Sequence, residues 1–229
     1  MDRAIFILSV IAAKPRNLSD LCAITGLPRA TAHRIAVALE KHRLIERGVD
    51  GAWVTGPALS EMAPSTSSRL EDAAEFILPD LMAKTGESVQ LYRLSGMERV
   101  CIANAEPATG LRDTVPVGHR MTLSAGSAAK LLVAFAPEAY QNQVLPDAAY
   151  TREELEKIAA EGIAESSAER DPSLASASVP VYGADAQNRT VIACLSISGP
   201  VARMGDHPAE KFGADLKESA RQLENLLRK

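Results

Sequence analysis

The sequence predicts an α+β chain in two parts: an N-terminal winged helix-turn-helix, then an antiparallel sheet with flanking helices. Three observations predict it. The segment LSDLCAITGLPRATAHRIAVALEKHRLIER, Leu18 to Arg47, reads as helix, tight turn, longer helix and entry into a strand. Further along, strand-like runs come as hairpins rather than in βαβ alternation, which argues for an antiparallel sheet covered by helices. The length, 229 residues, favours two modest domains over one. Pro64-Ser-Thr-Ser-Ser68 is the best linker, so the parts are expected at residues 1–63 and 64–229, joined over about 64–68.

The elements follow in order. Ala4 to Ala13 is apolar on nearly every side, so a helix there is buried on two faces. Ile5, Leu8 and Ala12 are expected to close a small core, with Ile7, Ile11 and Val10 facing a partner subunit; one greasy helix in a single core fits equally. Ser19 is the expected N-cap of the second helix, with Leu21 and Ile24 facing inward and Gly26 ending it. Pro28 suits the first turn of the third helix, whose apolar stripe is Ala32, Ile35, Ala36 and Leu39. Val49, Trp53 and Val54 flank Asp50-Gly51, a favoured hairpin pair, and predict a wing. Ala58 to Met62 begins a short helix.

In the second part, Leu70 to Met82 forms an amphipathic helix interrupted at Pro79 and stopped at Gly86. Ser88 to Leu94 and Arg99 to Ala105 make a hairpin about Ser95-Gly96, and Thr114 to Val117 is a third strand. Ala128 to Phe135 is helical. Thr151-Arg-Glu-Glu154 is a capping box for a helix running to about Glu161. Val179 to Tyr182 and Thr190 to Ser198 are strands around a polar turn at Asp185 to Asn188. A last helix, Ala209 to Arg228, puts Phe212, Leu216, Ala220, Leu223 and Leu227 on one face.

Charge is unevenly spread. The net charge is −4, yet residues 1–60 hold eight basic side chains against five acids, leaving 17 basic and 24 acidic residues for the rest. A locally basic module on an acidic body suits double-stranded DNA contact confined to one end. The exposed face of the third helix would carry Arg29, Ala30, Thr31, His33, Arg34, Val37 and Lys41. Arginine can bond guanine bidentately, and threonine can bond phosphate or touch a thymine methyl. Lys41, Arg43 and Arg47 suit phosphate contacts.

Other classes are disfavoured. No stretch is long and apolar enough to span a bilayer, and the apolar N-terminus lacks the charged start and small-residue cleavage site of a leader, so a cytoplasmic protein without membrane contact is expected. Cys22, Cys101 and Cys194 are widely spaced, without a CxxC pair, and His33, His42, His119 and His207 show no metal-binding spacing. No G-x-S-x-G, Walker or G-x-G-x-x-G motif occurs. No enzyme, metal or cofactor is expected.

The second part is nonetheless rich in small and hydroxyl residues at Thr122 to Ala129, Ser173 to Ser178 and Ser196-Ile-Ser198. Ser196 and Ser198 can point to one side of a strand. Ser127 lies near a helix start, where backbone N–H groups attract anions. Such a cluster would suit a small carboxylate or amino acid; close packing of helix on sheet explains it equally.

These residues together resemble the IclR family of bacterial transcriptional regulators along essentially the whole chain. The matching motifs are TGLPRATAHRIAVALE (Thr25–Glu40), VGHRMTLSAGSAAKLLVAF (Val117–Phe135), and ASASVPVYG with VIACLSISGP. Within the family, ESVQLYR, GLRDTVPVG and AERDPSLASASVPV look closest to actinobacterial regulators of leucine and other amino-acid biosynthesis. The resemblance implies a GAF/PAS-like effector domain and homodimers or tetramers on palindromic operators. DNA contacts are expected among Ser19, Arg29, Ala30, Thr31, His33, Arg34, Lys41 and Arg47. It places effector contacts at Ser127 and Ala128, at Ser176 ahead of the penultimate strand, at Ser196 and Ser198, and at Glu169. The segment TLSAGSAAK lacks the family's usual proline, histidine and second glycine, and Ser176 replaces a sulfur-bearing residue, which implies a different ligand preference or a vestigial pocket.

The expected function is a DNA-binding regulator, a repressor or dual regulator, of amino-acid (leucine or branched-chain) biosynthesis, modulated by an amino acid or carboxylate intermediate. Alternatives are a regulator with a vestigial pocket answering to abundance or thiol oxidation, a metabolite-binding module without a DNA role, and an enzyme using Cys101 or Cys194.

Overall fold

The computed structural model describes residues 2–48, 50–62, 65–183 and 190–228. The chain divides into two compact units, Met1–Ser67 and Ser68–Lys229.

In the first unit, α1 (Asp2–Ala13), α2 (Leu18–Thr25) and α3 (Arg29–Lys41) precede a hairpin of β1 (Ile45–Arg47) and β2 (Trp53–Thr55), followed by α4 (Pro57–Met62). The core is Ile7, Ile11, Leu21, Ala32, Ala36, Leu39, Ile45 and Trp53. Of the two expected apolar faces of α1, the one with Ile7 and Ile11 meets the core and Leu8 packs partly against it, whereas Ile5 is 57% exposed with Phe6 at 49%. Periodicity finds two apolar stripes on such a helix but cannot say which meets the core. Ile24 is likewise exposed, and Cys22 packs against the core in its place.

Asn17, not Ser19, caps α2. Its side chain accepts from Asp20 N at 3.0 Å while the Asp20 carboxylate accepts from Asn17 N at 3.4 Å, a reciprocal box that leaves Ser19 in the first turn. Gly26, at φ 67°, ends α2 as expected. The hairpin closes with Gly48 N–H donating to Ala52 C=O at 2.8 Å, and Gly51 takes φ 77°, where a side chain would be strained. Val49 lies outside the described residues. Arg16 and Trp53 exchange two backbone hydrogen bonds (3.0 and 2.8 Å), tying the α1–α2 connection to the wing.

The second unit is a six-stranded sheet with neighbours antiparallel, in the order β5-β4-β3-β8-β7-β6. Its elements are α5 (Ser65–Thr85), β3 (Ser88–Ser95), β4 (Glu98–Ala105), β5 (Arg120–Thr122), α6 (Ser127–Ala134), α7 (Glu138–Val144), a 3₁₀ turn at Leu145–Asp147, α8 (Arg152–Glu161), β6 (Ala164–Ser167), β7 (Leu174–Tyr182), β8 (Val191–Pro200), α9 (Val201–Met204) and α10 (Pro208–Leu227). Period-two alternation splits the sheet into two unlike faces. Val89, Leu91, Ala175, Ala177, Val179, Val181, Ala193, Leu195 and Ile197 pack with α5 and α10 residues, including Leu78, Leu81, Phe212, Leu216 and Leu223. The opposite face, under α6 and α8, carries Tyr92, Cys101 and Cys194 together with serines.

Four departures from expectation have clear causes. α5 runs through Pro79, because Ala73, Ala74, Leu78 and Leu81 are buried on both sides of it. Burying one leucine is worth about 1.5–3 kcal/mol, so several outweigh the roughly 3 kcal/mol that an interior proline costs. Residues 114–117 form no strand; the third strand is β5. Val115 N–H donates to the Glu106 carboxylate (3.2 Å) and Val115 C=O accepts from Asn104 (2.9 Å), so side chains do the work of a ladder there. β7 begins at Leu174 rather than Val179, which puts Ser176 inside the strand, not ahead of it. α7, α9 and β6 are too short to leave a periodic signature. The capping box at Thr151 and Glu154 is present, with Thr151 Oγ1 accepting at 3.3 Å. The turn at Asp185 to Asn188 lies outside the described residues.

Candidate functional site

Each unit holds one candidate site. In the first, α3 turns Ala32, Ala36 and Leu39 inward, so its other side presents Arg29, Ala30, His33, Arg34, Val37 and Lys41 to solvent. Thr31 is half-buried, and Ser19 stands exposed in the first turn of α2. Among the described residues, Arg29, His33, Arg34 and Lys41 form no ion pair. Arg47 differs: its guanidinium lies 3.7 Å over the Trp53 ring, donates to Gly51 C=O at 2.8 Å and approaches Glu40 at 3.6 Å. Trp53 Nε1 also donates to Glu40 at 3.4 Å. Arg47 thus braces the wing, though its exposure leaves the charge near solvent. Arg43 pairs with Glu61 at the turn, where Gly56 passes so close that a Cβ would fall 2.3 Å from Arg43 O.

The second site is built by sheet register. Ser88 pairs with Ser198, Ser198 with Ser176, and Ser176 with Ser166, giving a row of four serines across β3, β8, β7 and β6. The next row is Gln90, Ser196 and Ser178. Cross-strand partners lie on the same face, so the hydroxyls converge beneath the start of α6. Ser127 donates to Ser176 at 2.7 Å and exchanges a hydrogen bond with Ser178 at 2.8 Å. Ser178 donates to Ser196 at 3.0 Å, and Ser198 to Gln90 Oε1 at 3.0 Å. Ser88 Oγ and Gln90 Nε2 are buried without a partner among the described residues.

Above this floor is a cavity of about 30 Å³, room for little more than a water molecule. Ser127, Ala128, Ser176, Ser196 and Ser198 line it, as do Tyr92, Arg99, Asp113, Arg170 and Asp171. Glu169 does not. Its carboxylate accepts from Gly126 N at 3.1 Å, pairs with Lys130, and faces a neighbouring groove. The start of α6 is therefore already supplied with an internal anion.

Arg99 was not among the residues singled out from sequence. It is 3% exposed, and its Nη1 donates to Thr122 O (2.7 Å) and Ala125 O (3.1 Å). Its Nε is buried without a partner, and no carboxylate pairs with it among the described residues. Burial lowers its pKa, and the Arg170 charge works in the same direction. Arg170 itself holds Asp113 at 2.9 Å. The available signal was the two-residue spacing of Arg99 and Cys101, which places a charge on an inward face; nothing local marks it as lacking a counterion. Burial also pushes the Cys101 and Cys194 thiols up to about 12 and raises the Tyr92 and Tyr150 hydroxyls. Among the described residues no cluster of metal-ligating side chains occurs, and no helix is long and apolar enough to cross a membrane.

Residues 64–225 match the C-terminal domain of bacterial IclR transcriptional regulators, and residues 1–48 match the IclR helix-turn-helix domain. The KipR regulator of Bacillus subtilis is 25% identical, with 96% of this chain and 94% of that protein covered. The Escherichia coli repressor IclR is 25% identical over 90% of this chain and 81% of its own. Among solved structures, an IclR homologue from Microbacterium hydrocarbonoxydans bound to 4-hydroxybenzoate superposes with a TM-score of 0.75 at 22% identity, covering 99% of this chain and 98% of that one. The chain belongs to the IclR family of DNA-binding transcriptional regulators, whose C-terminal domain binds effectors.

Proposed function

We propose that this IclR-family member regulates amino-acid biosynthesis, leucine or branched-chain, as a repressor or dual regulator answering to a small metabolite. Residues 1–63 would read a palindromic operator through α3, and residues 64–229 would bind effector and hold a homodimer or tetramer. The exposed face of α3, with Arg29, His33 and Arg34 unpaired among the described residues, carries the DNA reading. Ile5 and Phe6, exposed on α1, support self-association. The pathway rests on the ESVQLYR, GLRDTVPVG and AERDPSLASASVPV stretches. Catalysis has no part in it: Cys194, buried with its thiol near 12, is a poor nucleophile.

Genome-wide mapping of bound DNA would supply the operator and its neighbouring genes. On that operator, Arg34→Ala should weaken binding by roughly 5- to 150-fold, the 1–3 kcal/mol of a bidentate base contact, in a gel shift at fixed salt with fold and oligomer state retained. Unchanged affinity would remove Arg34 from the reading face.

The small cavity and mutually bonded serines also favour a second reading, a regulator whose pocket is vestigial. Calorimetry against branched-chain amino acids and their biosynthetic intermediates separates the two. An effector acts only by binding two conformations unequally.

A further inference from the structure

We infer that Arg99 receives the carboxylate of an anionic effector, that Arg170 is the second cation of this site, and that Asp113 is the internal anion an effector displaces. This rests on the proposal that the cavity under α6 binds effector, and it names the residues and the charge that the cavity selects.

Three observations carry it. First, Arg99 is a cation 97% removed from solvent, lining the cavity, with Nε unpartnered and no carboxylate against it among the described residues. Leaving such a charge uncompensated is costly, and a carboxylate supplies the planar oxygen pair that a guanidinium fork binds best. Second, Arg170 lines the same cavity and is close enough to act on Arg99 as a like charge. An anion between them relieves that repulsion. Third, several rival donors are already engaged. Glu169 occupies the Gly126 N–H, and the Ser127, Ser178 and Ser196 hydroxyls bond one another.

Asp113, from the segment after β4, neutralises Arg170 at 2.9 Å. Asp171, the other acid lining the cavity, accepts from Ser173 N (2.8 Å) and Ser173 Oγ (2.6 Å), which ties it to its own turn. A cavity of about 30 Å³ admits an effector only if a wall moves. The Asp113–Arg170 pair joins two loops across that wall, so an effector carboxylate that competes with Asp113 for Arg170 couples occupancy to loop position.

The test uses the full chain with acetate and its neutral isostere acetamide as probes, followed by NMR of the arginine Nε–Hε groups. The Arg99 resonance is assigned by its loss in Arg99→Lys. Acetate should shift it at saturation, and acetamide should bind about 30-fold more weakly, the span of a hydrogen bond to a charged group. Arg99→Gln should weaken acetate by a similar factor. Asp113→Asn, which removes the competing anion without disturbing Arg99, should tighten acetate several-fold. That gain cannot come from misfolding.

Acetamide binding as tightly as acetate, with the Arg99 signal shifted by both, overturns the anion assignment and leaves an effector cavity standing. Asp113→Asn that binds acetate no better than the parent removes Asp113 from its displaced role. No response to either probe in the parent or in Asp113→Asn overturns the inference and the effector cavity together, and favours the vestigial pocket.

Discussion

The two faces of the six-stranded sheet share the same strands and obey opposite rules. On β8, Ala193, Leu195 and Ile197 point to α5 and α10, while Cys194, Ser196 and Ser198 point to the α6 side. The first face is largely apolar and close-packed. The second buries hydroxyls, a glutamine amide and an arginine, satisfied mostly by one another and in part, among the described residues, not at all. Apolar packing tolerates neighbours of any matching shape, whereas a buried polar group needs a particular partner. Stability is therefore concentrated on one face, and the groups that demand particular partners on the other.

The sharpest way to break that contrast is Leu195→Ala, at a fully buried position of the apolar face. It should lower stability by about 2–5 kcal/mol in urea unfolding of the second unit and leave effector affinity per folded molecule unchanged. Ser178→Ala, on the polar face, removes the group that joins Ser127 to Ser196. It should cost about 1–3 kcal/mol and also weaken effector binding, so the two variants separate the faces. A stability loss in Ser178→Ala equal to that in Leu195→Ala, with binding intact, would dissolve the distinction.

A third effect is alkaline. The Cys194 thiol ionises near 9 when unfolded and is pushed up to about 12 by burial. Its contribution is complete below pH 9 and is lost as pH rises from about 9 towards about 12, because the unfolded chain then holds fewer protons. The slope should be about 1.4 kcal/mol per pH unit from this thiol, and Cys194→Ala should remove it. An identical alkaline slope in the variant would place the titration elsewhere.

Much of the fold was legible because its signals are local. The Thr151–Glu154 box, the αL glycines Gly26 and Gly86, the hairpin at Ser95-Gly96 and the stripe from Phe212 to Leu227 each lie within a few residues of chain. The misreadings involve choices between locally equivalent options. Ile5 and Ile7 are equally apolar, and only packing chose Ile7. Asn17 and Ser19 both cap well, and the reciprocal bond with Asp20 decided between them. Pro79 reads as a break until both flanks are seen to be buried.

The candidate effector site divides the same way. The sequence by itself determined that Ser196 and Ser198 share a face of their strand, since a strand alternates every residue. It also determined that α3 carries a basic outer stripe. Only the tertiary structure decided that Ser176 and Ser178 lie within β7, that four strands align Ser88, Ser198, Ser176 and Ser166 into one row, that Glu169 turns away to Lys130, and that Arg99 ends buried beside a cavity with no carboxylate against it among the described residues. A residue's period is written in its neighbours along the chain. The lack of a partner depends on every group that folding brings within a few ångströms, and no stretch of sequence contains that information.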